Sequence, residues 1–392
     1  MSPTVASRIQ AMLATEEHAG AIASFYRETW SGDATAESVL EDRRQAAAEN
    51  VATPGEPPPV ALVLEGSRVI GHCASIPYRL WDGATEIPAH WVKGLMVAPE
   101  YRNGPIGFLV VKALAAQLPL ATALVVAPAA RRLFSALGFT DLGALRNFVR
   151  PLRPGRLARR LDISELGLGL PGWLAVAGGV AQRAGLAGLA AGAAGIALDV
   201  AAALTRGGAS RFATGCAVEP PSQEELDDVW RAARGTIAVS PVRDGRYLRW
   251  RFRPNGAGAP ADERRYAFIT ARDGPRLVGV AVLLQPRAVS DPRLRGVRVA
   301  TISDIVFPPE RADVGLAVLG AVERAARSAG ADAILSTTGH TALARLLRRQ
   351  AYVPLPGNVH FLVHDVTGGR RWPHDVRSWW LARGDSDADE VF

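Results

Sequence analysis

The segment Gly94-Leu95-Met96-Val97-Ala98-Pro99-Glu100-Tyr101-Arg102-Asn103-Gly104-Pro105-Ile106-Gly107 carries an apolar strand into a helix through a proline, an arginine and two glycines. Pro99 ends the strand, because proline has no N–H to give a neighbouring strand. The helix opening at Ile106 leaves its first backbone N–H groups without intrahelical acceptors, and its dipole adds partial positive charge at the same end. Gly104 and Gly107 permit close approach of the backbone to an anion, and Arg102 adds a formal charge beside it. The segment predicts a cradle for a phosphate or pyrophosphate, the plain alternative being an ordinary strand-to-helix turn. Pro105 withholds one N–H from the cradle while stiffening the turn.

Upstream, residues 17–50 carry helical spacing with Ile22, Phe25 and Trp30, followed by a second, polar helix over 36–49 and a proline-rich loop over 54–59. Strands are predicted over 60–64 and 69–76, with a hairpin signal at Asp82-Gly83 before the strand 91–97. Downstream come a helix over 106–117, a strand over 123–126 and a helix over 129–137 that exits at Gly138-Phe139. The same order returns later: strands over 266–270 and 277–284, a long strand over 297–307, a helix over 312–329, a strand over 333–336, a helix over 341–349 and a strand over 359–364. Matching order in two halves predicts a duplicated fold.

The cradle, together with Leu133, Phe134 and the Leu137-Gly138-Phe139 exit of the next helix, resembles the GNAT acyltransferase superfamily. The resemblance covers residues 17–150 by motif and 213–366 by element order. It implies an α/β protein of two GNAT-like mixed-sheet domains joined by an apolar helical connector. The expected boundaries are 1–152 for the domain with the acyl-CoA turn, 153–212 for the connector, 213–366 for a degenerate second domain and 367–392 for a C-terminal tail. Acetyl-CoA, or another acyl-CoA, is the implied cosubstrate. The backbone of Leu95, Met96 and Val97 would pair with its pantetheine arm, and Arg102, Asn103, Gly104, Ile106, Gly107 and Phe108 would hold its pyrophosphate.

Departures from the family pattern fall where its proton-transfer groups stand. Phe134 replaces the tyrosine that protonates the departing thiolate, Ala127 replaces an asparagine, and Trp91 stands near the place of a glutamate base. His72 and His90 are the remaining candidates for acid–base work, with Glu86 near them in sequence, and both histidines could equally be ordinary strand residues. Direct attack of a bound amine on a thioester relies on positioning more than on a strong base. In the second half, Arg311 aligns with Arg102 through a one-residue gap, which puts Val314 and Leu316 at the places of Pro105 and Gly107. Asp313 then repels a pyrophosphate, so one acyl-CoA per chain is expected. Asp304 either orients an acceptor or binds a neighbouring arginine.

A chain of 392 residues, 48% hydrophobic and 21% charged, suits two globular domains and a connector. Cys73 and Cys216 build neither a disulfide framework nor a metal site, so the expectation is a cytoplasmic protein without a metal. No secretory signal is expected, since Glu16, Glu17 and His18 arrive early. The net charge of +7 comes almost wholly from arginine, in pairs scattered from Arg43-Arg44 to Arg370-Arg371, which speaks against nucleic acid because such a footprint gathers on one element. Residues 249–253 are the local exception, reading as a strand with arginines and aromatics on opposite faces. Residues 166–182 and 184–198 are uncharged but too short to span a bilayer. They predict a helical hairpin, or a peripheral membrane contact through 166–198 with Trp173 and Leu174 as anchors.

The expected activity is acyl transfer to an amine or hydroxyl of a small-molecule acceptor held between the domains, such as a sugar or surface-polysaccharide precursor. Two rivals stand beside it: a CoA-binding sensor or scaffold without turnover, favoured by the missing proton donors, and an aminoacyl-tRNA-dependent transferase, which the basic charge permits.

Overall fold

The computed structural model describes residues 9–30, 32–125, 127–160, 187–205, 207–253, 266–288, 296–368 and 372–386. In chain order the elements are β1 Ile9–Leu13, α1 Ala19–Trp30, α2 Ala36–Ala48, β2 Val60–Glu65, β3 Arg68–Trp81, β4 Glu86–Val97, α3 Ile106–Ala115, β5 Leu120–Val125, α4 Pro128–Ala136 and β6 Thr140–Pro151. There follow α5 Pro154–Arg160, α6 Ala187–Leu204, β7 Ala213–Ala217, α7 Gln223–Arg234, the two-residue β8 Ser240–Pro241, α8 Gly245–Arg251, β9 Tyr266–Asp273 and β10 Arg276–Ala288. The last are β11 Arg298–Val306, α9 Ala312–Ser328, β12 Ala333–Thr338, α10 Thr341–Arg349 and β13 Val353–Asp365.

The chain divides into two compact mixed α/β units. The first comprises Met1–Leu80, Ala84–Gly143 and Val359–Asp375, and its strands run in the order β1-β2-β3-β4-β5-β13. Its apolar strands and helices close one core, in which Phe25, Leu62, Ile70, Val110, Leu114 and Phe134 are buried. β4 and β5 are parallel and joined by α3, the crossover that parallel neighbours require. The second unit comprises Trp81–Gly83, Ala144–Asn358 and Val376–Phe392, with strand order β6-β12-β11-β10-β9-β7. There β11 and β12 are the parallel pair, joined by α9.

Each unit takes a strand from the other half of the sequence. β6 pairs antiparallel with β12, Phe148 facing Ser336, inside the second unit. β13 returns to the first unit and pairs antiparallel with β5, Phe361 facing Leu124.

The duplication is written in packing. A Cβ on Gly71 would meet Ile106 Cγ2 at 2.6 Å, and one on Gly279 would meet Val314 Cγ1 at 2.7 Å. A Cβ on Gly107 would meet Leu133 Cδ1 at 3.1 Å, and one on Gly315 would meet Leu346 Cδ1 at 2.7 Å. Gly71 is as far from Gly107 in sequence as Gly279 is from Gly315. Gly315, not Leu316, therefore matches Gly107, so the one-residue gap disappears and Glu310 falls at the place of Arg102.

Residues 249–251 lie in α8 rather than in a strand. Asp244 caps that helix by accepting from the Tyr247 N–H at 2.9 Å, and Tyr247 and Leu248 bury its inner face. The alternation of arginine and aromatic side chains is overridden by the cap. Residues 161–186, most of the uncharged stretch, lie outside the described residues. α6 is helical and belongs to the second unit, where Asp199 binds Arg150 at 2.5 Å and Arg327 at 2.8 Å. Its outer face leaves Ile196 (68%), Val200 (53%) and Leu204 (80%) exposed at helical spacing. Among the described residues no helix is long and apolar enough to cross a membrane.

Candidate functional site

In the first unit β4 and β5 form a fork. Among the described residues they pair where His90 faces Ala121 and Trp91 faces Thr122. β4 then runs on to Val97 with residues 93–97 half-buried, although all of β5 is buried. Gly94 marks the departure with φ +58, a conformation that costs a side-chain-bearing residue about 1–2 kcal/mol. The backbone of Leu95, Met96 and Val97 thus follows a local bend and is not paired to β5 among the described residues.

Beyond the fork, a turn of 3-10 helix at Pro99–Tyr101 leads to Pro105 and α3. Pro105 offers no side-chain cap. The Leu109 N–H donates to the Pro105 carbonyl at 3.0 Å, which leaves the N–H groups of Ile106, Gly107 and Phe108 without an acceptor among the described residues. Arg102 is exposed at the turn, and its Nε donates to the Val97 carbonyl at 3.3 Å. Asn103 and Gly104 are exposed beside it, the Gly104 N–H being used by the Tyr101 carbonyl at 3.0 Å. Gly107 is buried, and its missing Cβ serves contact with Leu133 of α4 more directly than anion approach.

The matching turn of the second unit is closed. Its helix begins earlier relative to the shared glycine, so the Gly315 N–H donates to the Arg311 carbonyl at 3.2 Å and the Val314 N–H to the same oxygen at 3.1 Å. The guanidinium of Arg311 is bound to Asp313 at 3.0 Å. Two glycines in equivalent packing thus differ in the property that matters for an anion.

The structure separates the three acid–base candidates. His72 on β3 is 2% exposed, with Nδ1 3.2 Å from the Gly94 carbonyl and Nε2 2.9 Å from the Tyr26 hydroxyl. The first contact requires a proton on Nδ1, and Nε2 then accepts from Tyr26, so both nitrogens are engaged. His90 on β4 is also buried, its Nδ1 3.3 Å from Ser75 Oγ, which itself donates to the Pro59 carbonyl at 2.9 Å. Nδ1 is therefore the donor, and Nε2 keeps a lone pair with no partner among the described residues. Burial pushes both rings down to about 4, so both are neutral at physiological pH. Glu86 lies at the far end of β4 from the turn, paired with Arg79 at 2.5 Å, and is not brought to the cradle.

The base of the fork is aromatic. Tyr78 stacks on Trp91 with centroids 5.0 Å apart, and Phe361 packs on the same indole at 5.8 Å. Thr122 Oγ1 donates to the His90 carbonyl at 3.3 Å and accepts from the Tyr78 hydroxyl at 2.9 Å. Phe134 is buried edge-on against Phe139 at 4.9 Å and offers no proton. Sequence reasoning missed a polar cluster opposite Val125: Arg131 Nη1 donates to His360 Nε2 at 2.7 Å, and His360 Nδ1 donates to Asp141 at 2.9 Å. Its members come from α4, β6 and β13, and no spacing in the sequence announces that meeting. Asp304 binds an arginine, accepting from Arg243 Nε at 2.7 Å.

No protein-family model matches the sequence, and no curated protein matches it. Solved structures share the fold. A GCN5-related N-acetyltransferase from Anabaena variabilis superposes with a TM-score of 0.54 at 12% identity, over 92% of this chain and 73% of that one. A probable N-acyltransferase from Enterococcus faecalis gives 0.53 at 10% identity, over 92% and 72%. The N-myristoyltransferase of Saccharomyces cerevisiae, with bound myristoyl-CoA, gives 0.52 at 11% identity, over 93% and 84%. The chain has the GNAT fold in tandem.

Proposed function

We infer that the first unit binds an acyl-CoA, with acetyl-CoA as the simplest case, and passes its acyl group to an amine of a small acceptor. The observation that carries this reading is the pair Gly107 and Gly315: equivalent in packing, one N–H without an acceptor beside an arginine, the other consumed in its helix. The N–H groups of Ile106, Gly107 and Phe108, with Arg102, match the charge of a pyrophosphate. The half-buried backbone of Leu95 to Val97 suits the amides of a pantetheine arm.

Chemically, the amine lone pair forms a C–N bond to the thioester carbonyl carbon, the C–S bond breaks with its electron pair on sulfur, the ammonium nitrogen loses a proton to a base, and the thiolate leaves and takes a proton from solvent. We assign the ammonium proton to His90, whose Nδ1 is used by Ser75 at 3.3 Å and whose Nε2 has no partner among the described residues. With its conjugate acid near 4 it is a weak base, so the rate rests on positioning. His72 is then a positioning residue that holds the Gly94 bend. Phe134 supplies no proton to the thiolate, which is the observation favouring a second reading, acyl-CoA binding without turnover. A panel of amines with acetyl-CoA, read as free thiol released, decides between them. Thiol release that needs an amine supports transfer, whereas calorimetric binding without release under every acceptor supports the sensor.

A further inference from the structure

The second unit has a fork of its own. β11 and β12 pair from Val299 and Ala333 to Ile302 and Ser336, after which β11 runs on to Val306 and β12 to Thr338. Unlike the corresponding stretch of β4, these residues of β11 are buried. The cover is the chain's own C-terminal segment. Trp379, Trp380 and Leu381 are at most 1% exposed, and Arg383 is 3% exposed. Trp380 Nε1 donates to the Ile305 carbonyl at 3.0 Å, and the Trp380 N–H donates to Val239 at 2.8 Å. On the other prong, Arg383 Nη1 donates to Thr337 Oγ1 at 3.3 Å. At Gly384 the backbone comes so close to β11 that a Cβ would lie 2.8 Å from the Ser303 carbonyl. Asp385 anchors the segment: Arg243 Nη2 donates to its two oxygens at 2.7 and 2.8 Å, while Arg243 Nε holds Asp304 of β11.

We propose that residues 376–386 are the resident ligand of the second unit, filling the slot that in the first unit receives the pantetheine arm. The comparison of slots rests on the acyl-CoA reading above. The occupancy itself rests on contacts to both prongs of the fork. A ribbon that offers backbone amides, an indole and a carboxylate to β11 and β12 replaces a diffusible cofactor with a covalently tethered one. The second unit is then a binding fold satisfied by its own chain, and its stability depends on the last stretch of the sequence.

Two arms test this on the full chain. In the first, a protease site is inserted after Gly368, an exposed glycine with φ +62, and the folded protein is cut. The released C-terminal peptide is expected to stay bound through gel filtration, and a synthetic peptide of residues 376–386 is expected to compete for its place. Loss of the peptide with hydrogen exchange in β11 and β12 unchanged overturns the proposal, whatever acyl-CoA does. In the second, Gly384→Val on the uncut chain should drive the segment out and make trypsin cleavage at Arg383 about ten-fold faster or more. Cleavage as slow as in the wild type overturns it. Hydrogen exchange with saturating acetyl-CoA then separates the two readings. Protection confined to residues 102–108 supports both, and displacement of residues 379–385 by acetyl-CoA overturns a permanent occupant. No change at 102–108, with the cut peptide still retained, removes the acyl-CoA reading alone.

Discussion

The Nδ1 of His72 lies 3.2 Å from the carbonyl oxygen of Gly94, the one β4 residue with positive φ. Its ring thus ties β3 to the bend where β4 leaves β5, and the Tyr26 hydroxyl holds the ring from the other side. His72→Ala removes both hydrogen bonds made by a buried ring, so a stability loss of about 1–3 kcal/mol is expected by denaturant unfolding. Acyl-CoA affinity should weaken with it as the bend loosens. The pH profile of thiol release should not move, because both ring nitrogens are already engaged. A displaced profile in folded His72→Ala would make this histidine a base and not a brace.

At the cradle, Arg102→Ala is expected to weaken acyl-CoA binding by about 1.5–3 kcal/mol, the worth of a hydrogen bond to a charged group. Glu310→Ala, the matching change in the second unit, should leave the affinity where it was. Gly107→Val should do more damage than Arg102→Ala, since its Cβ alone already stands 3.1 Å from Leu133. Calorimetry on the three folded variants checks the order. Equal losses from Arg102→Ala and Glu310→Ala would show that the charge of Arg102 is not what holds the anion.

Acid should find the buried histidines. Burial holds His72, His90 and His340 at about 4, below an unfolded value of about 6.5. Between these values the unfolded chain binds protons that the folded chain refuses. The stability they contribute is therefore complete above pH ~6.5 and is lost as pH falls toward ~4, with a slope of up to about 1.4 kcal/mol per pH unit for each ring. Urea midpoints taken from pH 7 to pH 4.5 should drop, and His90→Gln should flatten the drop. A midpoint independent of pH down to 5 would place these rings in contact with water.

The pattern of residues made the first unit legible because its signals are local: a strand that ends at a proline, a helix that opens beside an arginine, a glycine exit. What stayed hidden is non-local. Nothing in the period of 359–364 says that this strand returns to β5, or that β6 leaves for β12, because pairing partners far along the chain carry no mutual spacing. The run Trp379-Trp380-Leu381 reads as a short apolar stretch in a tail, yet it is buried in the second unit. A run of that length has no periodicity to show which surface it covers. The role of Gly107 was half visible: its freedom of approach could be argued from composition, its contact with Leu133 only from coordinates.

The helix exits offer a matched pair of tests that does not depend on function. α4 ends with the Phe139 N–H donating to Phe134 at 3.1 Å and the Gly138 N–H to Ser135 at 3.1 Å. α10 ends identically, Tyr352 donating to Leu347 at 3.0 Å and Ala351 to Arg348 at 2.9 Å. Both are Schellman motifs, and each needs a left-handed residue after the helix. Gly138 supplies it with φ +88, whereas Ala351 is held at φ +58. An alanine there pays about 1–2 kcal/mol of local strain, against which glycine gives back about 0.4–1 kcal/mol through its freer unfolded chain. Ala351→Gly should therefore stabilise the protein by about 0.5–1 kcal/mol. Gly138→Ala should destabilise it by a similar amount, because a Cβ there meets His364 only at an ordinary 3.6 Å and adds no clash. Urea unfolding of the two single variants measures both signs. If Ala351→Gly destabilises, the left-handed exit of α10 is not present in solution, and the shared register of the two halves fails at that helix.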